Sequence, residues 1–184
     1  CSYPNFAITG DEDVCRNTAE TYSIPTGTYN SLVWTLLGGT INSGQGTRSI
    51  SAQWGPTPGR DSLGVTGVHL SFAGQARGCN FSLSKVVDIE DIADFTTITG
   101  DAGNCIGARE TYTIGAAATQ LSNVTWTITT VSGAAMPTTP PVIAGNSINK
   151  QTIQWPSVPG VYDLTVAGNF TIPGTNNTCS FTNT

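Results

Sequence analysis

Ile8-Thr9-Gly10, Cys15 and Glu20-Thr21-Tyr22-Ser23-Ile24 return, in the same order, as Ile98-Thr99-Gly100, Cys105 and Glu110-Thr111-Tyr112-Thr113-Ile114, each 90 residues further on. Leu32, Trp34 and Leu36 then answer to Val124, Trp126 and Ile128 at a distance of 92, and Trp54 with Pro58-Gly59 to Trp155 with Pro159-Gly160 at 101. Cys79-Asn80-Phe81 closes the first copy and Cys179-Ser180-Phe181 the second, 100 residues apart. The order of landmarks is kept while the spacing drifts, the mark of a duplicated module with insertions between its strands. The main insertion is the loop Met136-Pro137-Thr138-Thr139-Pro140-Pro141. The repeat predicts two domains, 1–88 and 89–184, each of a size normal for one small β domain.

Within each copy the apolar residues alternate with period two. Leu32, Trp34 and Leu36 point one way, and Ile50, Ala52 and Trp54 alternate with Ser49, Ser51 and Gln53. That is the pattern of a half-buried strand with one wet face. Gly38-Gly39, Gly55-Pro56, Pro58-Gly59, Pro159-Gly160 and Pro173-Gly174 punctuate the runs as turns. No stretch carries a 3.6-residue apolar stripe, so no substantial helix is expected. The reading is all-β: two tandem immunoglobulin-like sandwiches of about seven strands each. Trp34, Trp54, Trp126, Trp155, Tyr22 and Tyr112, which repeat in register, are the expected core aromatics.

Composition agrees. Only 10% of the 184 residues are charged, the net charge is −5, and 29 are threonine. An ordinary soluble domain carries about 25% charge, so hydroxyls and amides solvate this surface, and β-branched threonine favours strands. Seven scattered Lys and Arg argue against a nucleic-acid partner, because phosphate binding needs clustered cations. No apolar run approaches the roughly 20 residues of a transmembrane helix, so no membrane span is expected.

Five cysteines are an odd number. No Cys-x-x-Cys pair occurs, which argues against zinc. The duplicated positions predict one disulfide per domain, Cys15 with Cys79 and Cys105 with Cys179. Closing such a loop of about 65 residues stabilises by roughly 4 kcal/mol in the chain-entropy view, and implies an oxidising compartment, secreted or at the cell surface. Cys1 is left over. Cys1-Ser2-Tyr3 repeats the cysteine, polar, aromatic pattern of Cys179-Ser180-Phe181. Three readings of it are open: the last cysteine of a preceding module in a longer array, a bond to a neighbouring subunit, or a lipidated N-terminal cysteine.

These residues together resemble the PKD-like, immunoglobulin-like modules found in tandem in secreted surface proteins of Bacteroidetes. The resemblance is carried by the Ile-x-Gly and Cys start, the Tyr-bearing strand, Trp34-Thr35-Leu36-Leu37-Gly38-Gly39, and Pro159-Gly160-Val161-Tyr162-Asp163-Leu164-Thr165-Val166. The second copy departs from it with Thr129-Thr130-Val131-Ser132-Gly133 in place of Gly-Gly. Such modules serve as spacers and stalks in large adhesins, gliding adhesins among them, and in extracellular enzymes. The resemblance implies neighbouring copies or modules of the same protein as partners, with surface glycans as an alternative.

Chemistry is sparse. His69 is the only histidine and sits in a strand-like run, and no Gly-x-Ser-x-Gly, phosphate loop or His-Glu-x-x-His pair is present. No enzyme activity and no organic cofactor is expected. Asp88, Glu90, Asp91 and Asp94 lie at the junction of the copies, and Asp11-Glu12-Asp13 precedes Cys15. Their oxygens suit Ca²⁺ by type, though no EF-hand spacing is present, and a solvated linker of about Lys85 to Asp94 is the plainer reading. Asp61-Ser62-Leu63 resembles a short O-glycosylation site of Bacteroidetes secreted proteins, which makes Ser62 a candidate acceptor. The expected function is a structural or adhesive module of a stalk or surface filament; the alternative is a carbohydrate-binding accessory module of a secreted enzyme.

Overall fold

The computed structural model describes residues 6–70, 78–131, 142–157 and 159–184, with the side chains of 142–146 also left undescribed. Cys1 and the Met136–Pro141 loop lie outside them. The backbone divides into two compact units, Cys1–Asp91 and Ile92–Thr184.

Among its described residues the first unit holds seven strands: β1 (Asp13–Cys15), β2 (Ala19–Ser23), β3 (Tyr29–Leu36), β4 (Gly39–Ser43), β5 (Ser49–Trp54), β6 (Gly59–His69) and β7 (Cys79–Glu90). They form a sheet of order β1-β7-β6-β3 and another of order β2-β5-β4. The alternation read from the sequence is the reason. On β5, Ile50, Ala52 and Trp54 are buried while Ser49, Ser51 and Gln53 are not. Leu32 and Trp34 do the same on β3, and the inward residues meet in one core with Val14, Tyr22, Leu63, Val65, Val87 and Ile89. All pairings are antiparallel except β1 with β7, which is parallel.

The second unit opens on a single helical turn, α1 (Ala93–Thr96), followed by β8 (Ile98–Thr99), β9 (Arg109–Ile114), β10 (Leu121–Thr130), β11 (Val142–Ser147), β12 (Lys150–Gln154), β13 (Tyr162–Thr171) and β14 (Thr178–Asn183). Its sheets run β11-β12-β9-β8 and β10-β13-β14. The turn α1 is fixed by buried Thr96, whose carbonyl and hydroxyl both accept from the Asn183 amide at 2.8 and 2.7 Å. Phe95 stacks on Phe170 at 5.1 Å.

The same details recur in both units. The Trp34 indole donates to the Thr47 carbonyl at 2.8 Å, and that of Trp126 to the Ile148 carbonyl at 3.3 Å. Tyr22 meets Trp54 edge-on at 5.9 Å, and Tyr112 meets Trp155 at 6.1 Å. A Cβ on Gly10 would lie 2.3 Å from the Tyr22 ring, and one on Gly100 would lie 2.4 Å from that of Tyr112. The repeated Ile-Thr-Gly is therefore a close approach that only glycine allows. A bulge interrupts β3 between Asn30 and Val33 and β10 between Ser122 and Thr125, with Ser31 and Asn123 at φ of 54° and 53°.

One expectation is corrected. The stretch from Lys85 to Glu90 is strand, laddered to β6 from Leu63↔Lys85 to Gly59↔Ile89. Its charges read as a linker, but Val87 and Ile89 alternate with them and are fully buried. The burial of two β-branched side chains holds the segment in the sheet, with the acidic residues turned outward.

Candidate functional site

The cysteines are arranged differently from the expected pairs. Cys15, Cys79 and Cys179 are disulfide-bonded, while Cys105 is a free, exposed thiol. The Cys105–Cys179 bond is thus not formed. A Cys15–Cys79 bond is excluded by register: Cys15 lies opposite Glu90, eleven residues along β7 from Cys79. At about 3.3 Å per residue that is roughly 36 Å, against the roughly 7 Å that a disulfide spans between Cα atoms. In the second unit Cys179 pairs with Phe170, while Cys105 borders Tyr162 at the other end of β13. Each module therefore carries its two cysteines at opposite poles. Duplicated positions showed that the cysteines mattered, but sequence spacing carries no information on which pole each one occupies.

The acidic residues do not gather. Asp88 is held by the Arg60 guanidinium at 3.0 Å, and Glu12 by Lys85 at 2.7 Å. The ammonium of Lys85, through its hydrogen bond and then its charge, lowers the Glu12 pKa. Glu90, opposite Cys15, is shifted upward by burial first and then by Asp13 and Asp88. Among the described residues no three Asp, Glu, His or Cys side chains come together in a way that holds a metal. His69 packs among Phe6, Tyr29 and Phe81, T-shaped to Tyr29 at 4.8 Å, within the aromatic end of the first sandwich. Ser62 sits mid-strand on β6, opposite Val86, and its carbonyl accepts from the Leu37 amide at 3.0 Å.

The feature that sequence reading missed is an open edge in the second unit. From Tyr162 to Thr165, β13 is paired on one side with β10. On its other side, β14 begins its register only at Val166↔Asn183. In the first unit the matching stretch of β6, Gly59–Leu63, is covered by Lys85–Ile89 of β7. Among the described residues no strand pairs with the outer edge of β13 from Tyr162 to Leu164, while Thr184 meets Thr165 through their hydroxyls at 2.9 Å. Two recesses open along it. One, of about 280 Å³, is lined by Cys105, Ile106, Trp155, Val161 and Tyr162; the next reaches Tyr112 and Leu164.

The side chains register the difference. Leu63 and Trp54 are fully buried, whereas their counterparts Leu164 and Trp155 are half-buried. Trp126 is also half-buried where Trp34 is sealed. Val161 and Ile106 are 64% and 59% exposed, beside the Trp155 and Tyr162 rings, which tilt together at 5.4 Å. The Tyr112 hydroxyl donates to the Asp101 carbonyl at 2.8 Å and accepts from the Asn104 amide at 2.7 Å; burial raises its pKa.

Residues 2–69 match the PKD-like domain family. PKD-like domains are generally extracellular structural or adhesive modules, and typically non-catalytic. A comparison with curated proteins found no match.

Proposed function

We propose that this chain is a non-catalytic spacer of an extracellular stalk, adhesin or surface filament, its two sandwiches standing in series with neighbouring copies or modules of the same kind. The observation that carries this reading is the PKD-like match over residues 2–69 on a sandwich whose side chains are spent on packing. Disulfide-bonded cysteines fit an oxidising environment outside the cell, and no helix among the described residues is long and apolar enough to cross a membrane. The low-charge, threonine-rich surface suits packing against copies, since little charge has to be desolvated there.

Electron microscopy of the native cell-surface material, with an antibody against this chain, tests the reading. Labelled linear assemblies outside the envelope are expected. Label confined to the cell interior, or dispersed single molecules in the medium, overturns it. The carbohydrate-binding alternative is supported by one observation, the tilted, half-buried Trp155–Tyr162 ring pair; glycan-array binding lost in Tyr162→Ala would favour it.

A further inference from the structure

We propose that the Gln45 side chain is a guard on the outer edge of β3: it occupies the backbone groups that a further strand would take, and so keeps the first unit from pairing edge to edge with a second copy of this chain. The guard neither needs nor tests the spacer reading.

Among the described residues β3 is the last strand of its sheet, in the order β1-β7-β6-β3. Just past it, the Leu37 amide donates to the Ser62 carbonyl of β6 at 3.0 Å. Backbone groups alternate sides along an antiparallel strand, so those of Val33 and Thr35 face β6 and those of Leu32, Trp34 and Leu36 face outward. The segment Leu32-Val33-Trp34-Thr35-Leu36-Leu37 is rich in strand formers, uncharged, and free of proline and glycine. That is the composition of a strand that zips onto its own kind. The charges and prolines that commonly blunt an edge are absent from the whole of Tyr29–Leu36.

Gln45 meets this edge at Trp34. Its carboxamide oxygen accepts from the Trp34 amide and its nitrogen donates to the Trp34 carbonyl, both at 2.9 Å. Two residues opposed in a hydrogen-bonded antiparallel pair exchange the same two bonds. The carboxamide therefore stands in for one residue of a further strand, without a backbone that could continue the pairing.

The β4–β5 hairpin is shaped to deliver it. Gly44 and Gly46 flank Gln45 at φ of 86° and 82°, and a Cβ on Gly44 would lie 2.1 Å from the Ser49 carbonyl oxygen. The Thr47 amide closes the turn on the Gly44 carbonyl at 2.9 Å, and the Trp34 indole, donating to the Thr47 carbonyl, pins that turn against β3. With Gln45 displaced, the partner that fits is β3 of another copy. Two such strands meet antiparallel about Trp34 with no like charges opposed along them, and each Trp34 exchanges with its twin the bonds that Gln45 holds.

The test uses the full chain carrying Gln45→Ala, and separately Gln45→Met, which keeps the length but has no amide. Mass is read by light scattering over a concentration series, together with hydrogen exchange at Leu32, Trp34 and Leu36. In dilute solution Trp34 should exchange roughly tenfold faster, or more, than in the parent chain. As concentration rises, dimers or larger species should form, and protection at Leu32, Trp34 and Leu36 should exceed that of the parent. Adding Val33→Lys, at a side chain 51% exposed, should abolish the association and leave the fast exchange. A folded variant, with Leu63 and Val65 amides protected as before, whose mass follows the parent at every concentration overturns the guard. Association without protection at β3 overturns it too, since the contact then lies elsewhere. Loss of the fold in both variants also overturns it, because Gln45 is then part of the framework and guards nothing.

Discussion

Trp54 and Trp155 occupy the same corner of the same sandwich and face the same tyrosine edge-on, yet the first is fully buried and the second half-buried. Their own strands do not explain it, because β5 and β12 pair with β2 and β9 alike. In the first unit β7 carries Val87 and Ile89 over the core some thirty residues further on. A buried tryptophan is thus a property of the whole sheet arrangement. The module repeats as a sequence, but its closure depends on one strand at the end.

The comparison can be broken in order of expected effect. Trp54→Ala should remove about 3–5 kcal/mol from the first unit, the range for truncating a core aromatic, and Trp155→Ala clearly less from the second. Denaturant titration read by site-resolved hydrogen exchange separates the units; equal losses would deny that the second core is open. Gly10→Ala should cost about 2–4 kcal/mol through overpacking against Tyr22 and a left-handed backbone. Gly100→Ala, which meets Tyr112 without the positive φ of Gly10, should cost less by the same measurement. Gln45→Ala should cost about 1–3 kcal/mol. Its amide donates to the Trp34 carbonyl and its oxygen accepts from the Trp34 amide, both at 2.9 Å. The loss should appear as faster exchange at Trp34 first.

The smallest effect is a pH dependence confined to the first unit. Glu90 is raised above 4.5 by burial, then by Asp13 and Asp88. The folded state therefore holds its proton more tightly than the unfolded one, so stability falls as pH rises from the ordinary carboxylate range through the raised value. Glu90→Gln should raise stability at neutral pH by less than about 0.5 kcal/mol, given its partial solvation, and the gain should vanish under acid. Glu12 runs the other way. Its pKa is lowered by Lys85, so that contribution is present above the ordinary value and is lost as pH falls through the lowered one. A gain in Glu90→Gln that persists at low pH would assign the effect to packing.

Much of this was legible from the residues alone. The duplicated Ile-Thr-Gly, tyrosine and tryptophan landmarks specify strands, because inward positions recur every second residue and glycine is demanded where a ring presses on the backbone. Two sandwiches follow from that. Cysteine connectivity was not legible, since bonding depends on which end of a twelve-residue strand each sulfur occupies. Nor was the strand character of Lys85–Glu90, where four polar or exposed positions outweigh two buried ones to the eye while the core weighs them the other way. The open edge of β13 shows only when the two sheets are laid side by side.

The parallel pairing of β1 with β7 bears on how the first unit carries load. Tension applied at the two ends of the unit would draw β1 and β7 past each other along their length. Neighbouring hydrogen bonds at that seam are then stressed together in shear, and cannot be peeled one at a time. The contact of Asp13–Cys15 with Asp88–Glu90 is only three residues long, yet it stands where the tensile path crosses from one terminal strand to the other.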